Sequence, residues 1–185
     1  MRKFILALTF AASPALAHMP VLDVSAKTAE APFVIDDAEH SKAIYAQLDG
    51  APDFYRITED QPFDFYVGIT LAKVEGCTPD TSFSFDVLDA EGNVIESRDG
   101  AEHTWTDWFE EFGKQWYWVG PEVGKDFAST TVYPAGTYTI RVRNDGNQGR
   151  YVLAVGDDER FGLGALFTIR GVVKETAQLF WQSGC

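Results

Sequence analysis

Phe63-Asp64-Phe65-Tyr66-Val67-Gly68-Ile69-Thr70-Leu71 carries an apolar residue at every second position. Side chains alternate between the two faces of a strand, so Phe63, Phe65, Val67, Ile69 and Leu71 share one face, and that face demands a core. The neighbouring segments repeat the pattern. Upstream, Ala43–Leu48 ends at the turn pair Asp49-Gly50, and Asp53–Ile57 follows at once. A short strand is also expected at Pro32–Ile35. Downstream, Phe83, Phe85 and Val87 alternate with polar residues up to a turn at Ala90-Glu91-Gly92-Asn93, after which Val94-Ile95 restarts a strand. Gly136–Arg143 alternates as well, Tyr151–Val155 is the returning apolar strand, and the Asn/Asp/Gly run at 144–149 between them reads as the turn of a β-hairpin. Short strands separated by Gly/Asp turns predict a mainly β chain, a jelly-roll-like β-sandwich.

Two segments break this rhythm. Thr104 can cap a helix with Asp107 at N3, and Trp105, Trp108, Phe109 and Phe112 then fall at i, i+3, i+4 and i+7 before Gly113. This predicts a short helical aromatic insert. In the C-terminal stretch Leu163, Leu166, Phe167, Ile169, Val173 and Phe180 fit a helical stripe. The expected organisation is a leader over 1–17, an extended lead-in over 18–41, a β-sandwich over 42–160 with an insert at 100–134, and a helical extension over 161–185.

The β part resembles the bacterial pre-peptidase C-terminal domain, a secreted β-sandwich. The motifs that carry the resemblance are Asp53-Phe54-Tyr55-Arg56-Ile57, the hairpin Phe85–Ile95 with its Asp89-Ala90-Glu91-Gly92, Gly136-Thr137-Tyr138, and Gly149-Arg150-Tyr151-Val152-Leu153-Ala154-Val155. The resemblance spans roughly residues 42 to 156 and implies fold more than function. Members of that family are mostly accessory modules of secreted enzymes. The insert at about 100–134 and the extension after Gly156 depart from the pattern.

The N-terminus has the parts of an export signal: Arg2 and Lys3, an apolar run from Phe4 to Ala12, then Ala15-Leu16-Ala17 at the cleavage site. The mature chain is expected to begin at His18 and to work in the periplasm or outside the cell. Arg2 and Lys3 leave with the leader, so the 15 bases fall to 13 against 28 acids, a net charge of −15. Such a chain repels nucleic acid, and its acidity favours cations or basic partners. No other stretch is long and apolar enough to span a membrane. The two cysteines, Cys77 and Cys185, would meet an oxidising compartment. One disulfide would pin the C-terminal end to the body; two separate thiols are the alternative.

Three groups of residues could carry chemistry. Residues 101–126 hold four of the five tryptophans, Trp105, Trp108, Trp116 and Trp118, with six acids against two lysines. Indoles beside carboxylates can stack a sugar ring while accepting its hydroxyl hydrogens, or hold a cationic ligand. Burial of the same rings as core is the alternative. His18, as a mature N-terminus, would offer an amine and an imidazole to copper, with His40 or His103 as further ligand. Acids and Asn at 36–39, 144–147 and 157–159 could line calcium loops, although local turn chemistry explains them equally. No G-x-S-x-G, H-E-x-x-H, P-loop or dinucleotide motif is present. The expectation is a non-catalytic binding or accessory module for a carbohydrate, a peptide or an envelope partner. The alternatives are a copper-binding protein and a structural assembly subunit.

Overall fold

Phe63, Phe65, Val67, Ile69 and Leu71 all reach the interior, at 5% exposure or less, but they do so on two strands. The computed structural model describes residues 18–160 and 165–184. The expected leader, Leu163 and Cys185 lie outside these residues, as do the side chains of Leu166 and Phe167.

Thirteen strands and one helix are described. The first sheet contains β1 (Met19–Leu22), β3 (Lys42–Asp49), β13 (Gln148–Val155), β6 (Val67–Ala72), β10 (Gln115–Val123) and β9 (Thr106–Glu110), in that spatial order. The second contains β2 (Phe33–Ile35), β4 (Asp53–Glu59), β12 (Gly136–Arg143), β7 (Ser84–Leu88) and β8 (Val94–Arg98). A small pair joins β5 (Phe63–Phe65) to β11 (Thr131–Tyr133). Both main sheets are mixed, because β1 runs parallel to β3 and β2 parallel to β4. The lead-in therefore contributes a strand to each layer, one more than expected from the sequence.

The alternating residues of the two sheets meet in one core. Ile44, Leu48, Ile69, Leu153 and Val155 come from the first sheet; Tyr55, Ile57, Phe85, Val87, Ile140 and Val142 come from the second. Full burial of such a side chain stabilises by about 1.5–3 kcal/mol. The mainly β sandwich expected from the alternation is the observed architecture. One connection differs. β12 and β13 do not pair with each other; β12 lies between β4 and β7, and β13 between β3 and β6. The turn between them crosses from one layer to the other. Asn144 holds it, donating to Asp80 Oδ2 at 2.8 Å and to the Gln148 carbonyl at 2.7 Å while accepting from Gln148 N–H at 3.0 Å.

The helix expected at 104–113 is not formed. Residues 106–110 are β9, paired antiparallel with β10 from Gln115 to Val119. The Glu110 carboxylate accepts the Phe112 N–H at 2.6 Å and the Gly113 N–H, which closes the turn, and Lys114 takes a φ of 55°. Aromatic residues favour strands, and the free edge of β10 offers a ladder that an isolated turn of helix lacks.

The expected C-terminal helix is present as α1 (Ala165–Phe180). It lies on the outer face of the first sheet, where Phe180 packs with Tyr45, Tyr117 and Val152, joined by Trp108, Leu179 and Trp181. Ile169, Thr176 and Phe180 are its buried positions. Trp181 Nε1–H donates to the Trp116 carbonyl at 2.9 Å and Arg150 to the Leu179 carbonyl at 2.6 Å, which ties the helix end to β10 and β13. No helix among the described residues is long and apolar enough to cross a membrane.

The expected Cys77–Cys185 disulfide ends on a residue outside the described ones, and among the described residues, which include Cys77 alone of the two cysteines, no cysteine pair stands at bonding distance. Cys77 itself does not carry a free thiol.

Gly100 sits where the chain leaves β8 and passes close under Phe83. A Cβ there would stand 2.0 Å from the Phe83 carbonyl oxygen and 2.7 Å from that of Thr81. Backbone cannot yield as a flexible side chain does, so Gly100→Ala is expected to destabilise by about 1–3 kcal/mol, measured by urea unfolding.

Candidate functional site

The two-residue period of β10 separates the aromatic residues into two environments. Tyr117 stands opposite Trp108 in the ladder, and both belong to the face under α1. Trp116 stands opposite Phe109, and Trp118 opposite Asp107, on the other face. That face continues the interior side of the first sheet, since Trp118 also pairs with Leu71. Trp105, which precedes β9, turns into the sandwich: its Nε1–H donates to the Gly100 carbonyl at 2.8 Å, and a Cβ at Gly120 would meet its ring at 2.3 Å. The four tryptophans expected as one ligand surface are thus divided. Trp105 and Trp108 are packing residues, whereas Trp116 remains 47% exposed beside Trp118.

Beneath α1 lies a cavity of about 60 Å³ lined by His18, Tyr45, Thr70, Trp108, Tyr117 and Phe127, among others. The Tyr45 and Tyr117 hydroxyls meet at 2.6 Å. Burial pushes the Tyr45 phenol up to about 12 and Tyr117 higher, so both keep their protons. The His18 ring lies edge-on to Phe127 with centroids 6.1 Å apart. Its Nε2 is buried and makes no hydrogen bond to the described residues. Burial lowers its pKa to about 4, against a smaller opposing pull from the Asp157 carboxylate. Small-molecule pockets start at roughly 300 Å³. This cavity has room for about four waters and is too small for a sugar ring.

The groove at Trp116 and Trp118 is larger, about 390 Å³, within that range. Its floor is the two indoles, and its rim is the loop from Lys73 to Cys77 together with Asp107. Lys73 Nζ lies 4.5 Å from the Trp118 ring centroid and 5.3 Å from that of Trp116, and 2.7 Å from Asp107 Oδ2. Lys73 beside it holds the Asp107 carboxyl below the usual carboxylate range. Each such exposed cation–π contact is worth about 0.5–1 kcal/mol, and an ion pair this exposed to water adds little. Lys73 is therefore weakly held. The Trp116 backbone is firmly held, because its carbonyl accepts from both Lys73 N–H and Trp181 Nε1–H at 2.9 Å. A further groove of about 480 Å³ lies across the Cys77 loop, but its rings, Phe83 and Phe180, are core residues with at most 3% exposure.

The three histidines expected as copper ligands stand in different settings. His18 lies under α1, His40 forms a backbone bridge to Asp158, and His103 packs edge-on to Trp105 with centroids 6.3 Å apart. Among the described residues no three His, Cys, Asp or Glu side chains group so as to hold a metal ion. Two of the acidic runs considered for calcium do converge, but around an arginine. Arg160 contacts Asp158 at 2.6 Å, Asp37 at 2.8 Å and Glu39 at 3.9 Å. In the third, Asn144 serves the interlayer turn. Lys73 was not foreseen as a site residue, because it lies 34 residues from Asp107 and no local pattern links the two.

The sequence matches no family model, and it matches no curated protein. Among solved structures, the pre-peptidase C-terminal domain of a collagenase from Bacillus anthracis aligns with 76% of this chain and 95% of its own, at 10% identity and a TM-score of 0.32. The catalytic domain of a GH87 alpha-1,3-glucanase, in complex with nigerose, aligns with 64% of this chain and 22% of its own, at 15% identity and a TM-score of 0.31. These likenesses are distant and partial.

Proposed function

We propose that the chain is an exported, non-catalytic binding module that holds a carbohydrate or peptide ligand on the Trp116–Trp118 shelf. The strand and turn motifs from Asp53 to Val155 support grouping it with accessory domains of the pre-peptidase C-terminal type. The observation that carries the reading is Trp116: a large ring 47% exposed, on the same strand face as Trp118, at a groove of about 390 Å³. Flat, rigid rings supply contact area at little entropic cost, which suits a ligand platform.

Trp116→Ala removes the exposed ring while leaving both hydrogen bonds to the Trp116 carbonyl in place. The expected result is at least a tenfold loss of ligand affinity, with stability lowered by only about 1–2 kcal/mol through the ring's lost contacts with Lys73 and Phe109. Tryptophan fluorescence during titration with a glycan and peptide panel reads the first, and urea unfolding the second. A wild-type protein that responds to no member of a broad panel would sink the proposal.

A further inference from the structure

The shelf already holds a ligand group that belongs to the protein itself. The Lys73 ammonium is met by the indoles of Trp118 and Trp116 at 4.5 Å and 5.3 Å and by the Asp107 carboxylate at 2.7 Å. Ring faces supply negative quadrupole and the carboxylate supplies full charge, which together form a receptor for an alkylammonium ion. The Lys73 side chain is 32% exposed and that of Asp107 52%, so the ammonium can leave without any opening of the core.

The identity of the displaced group limits what can replace it. A neutral ring stacking on the indoles would evict Lys73 and leave Asp107 without its cation. An incoming ammonium exchanges like for like, since both indoles and the carboxylate regain the partner they lose. Glu75 also borders the groove, and the whole chain carries 28 acids against 15 bases, so the field attracts a basic partner. Resting on the shelf as the binding surface, we propose that its ligand is the lysine side chain of a basic peptide segment in a partner protein, with Lys73 as the internal stand-in that this lysine displaces. Lys73 then sets affinity: the shelf is self-occupied, and every ligand competes with a tethered ammonium.

The test compares wild-type protein with Lys73→Ala, using N-α-acetyl-lysine amide as probe and the same compound acetylated at its side-chain nitrogen as the uncharged control. Tryptophan fluorescence reads binding, with Trp116→Ala as the blank. The charged probe is expected to bind Lys73→Ala about tenfold more tightly than wild type, and at least tenfold more tightly than the uncharged probe does. Its binding is also expected to weaken as salt rises. Lys73→Gln, which keeps much of the aliphatic stem, serves if the alanine variant does not fold. Equal responses to charged and uncharged probes, or equal affinities of wild type and variant, overturn the inference. A neutral glycan that titrates the tryptophans while the ammonium probe does not, or an amino-sugar oligomer that outcompetes it, overturns the lysine assignment and leaves the shelf standing. Silence towards all of them removes the shelf as well.

Discussion

Asp53→Ala is expected to destabilise the fold by about 3–5 kcal/mol, a large part of the 5–15 kcal/mol typical of a whole domain. Asp53 is 3% exposed and anchors a polar network in the sandwich. Its Oδ1 accepts the Lys27 N–H at 3.2 Å, its Oδ2 accepts the Tyr151 hydroxyl at 2.6 Å, and Tyr151 meets the Tyr55 hydroxyl at 2.5 Å. The Lys27 ammonium, also buried, lies 3.8 Å from Asp53 and donates to the carbonyls of Asp23 and Ser25. Truncating Asp53 removes one of the two carboxylates that lie 3.8 Å from the buried Lys27 ammonium, Asp23 being the other, and leaves a phenol without its acceptor, each costly in a low-dielectric interior. Lys27→Met is expected to cost less. Burial, its largest influence, already raises the Asp53 pKa despite the lysine nearby, so an unpaired Asp53 can neutralise by taking a proton. The cost of Lys27→Met should therefore shrink as pH falls, whereas that of Asp53→Ala should not. Urea unfolding of both variants at pH 7 and pH 5 measures the contrast. An Asp53→Ala protein within about 0.5 kcal/mol of wild type would show the network to be a bystander.

Strand faces were legible because alternation is a local property. The core-facing residues of 63–71, 83–87 and 136–143 follow from period two, whereas 151–155 is apolar throughout and buried on both faces. Membership of a sheet is not local. The turn at 144–149 has hairpin composition, yet Asn144 spends its hydrogen bonds on Asp80 and Gln148 and sends the chain across the sandwich. Inward alternation looks the same for two paired strands and for two strands facing each other. The segment at 104–113 failed for a related reason. Trp105, Trp108, Phe109 and Phe112 are dense enough to satisfy a helical and an extended pattern, and pairing with β10 decided between them.

The candidate site divides along the same line. Trp116 and Trp118 share a face by alternation, and the structure keeps them together. Trp105 and Trp108 were grouped with them by proximity in sequence, but a strand sends neighbouring residues to opposite sides. The acids at 36–39 and 157–159 do meet, and Arg160 takes the place between them that a cation would need. Lys73 became part of the shelf through tertiary contact alone.

His18 carries the second large expectation, a loss of stability on mild acidification. An imidazole free in the unfolded chain titrates near 6.5, while burial under Phe127 lowers the folded value to about 4, with Asp157 opposing. The unfolded state thus binds more protons throughout that interval, so stability present above pH 6.5 falls as pH drops towards 4. At about 1.36 kcal/mol per pH unit, the loss attributable to this one group reaches roughly 2 kcal/mol at pH 5 and about 3 kcal/mol at pH 4. Carboxylates throughout the chain begin to titrate near the lower end, so the comparison has to be made against a variant. His18→Leu retains an apolar side chain beside Phe127 and removes the titrating nitrogen. Urea unfolding of both proteins at pH 7, 5 and 4 should show the wild type losing about 3 kcal/mol more than the variant across the range. Parallel losses would mean that the imidazole accepts its proton without leaving its place, and that the cavity is wetter than its lining of Tyr45, Trp108, Tyr117 and Phe127 implies.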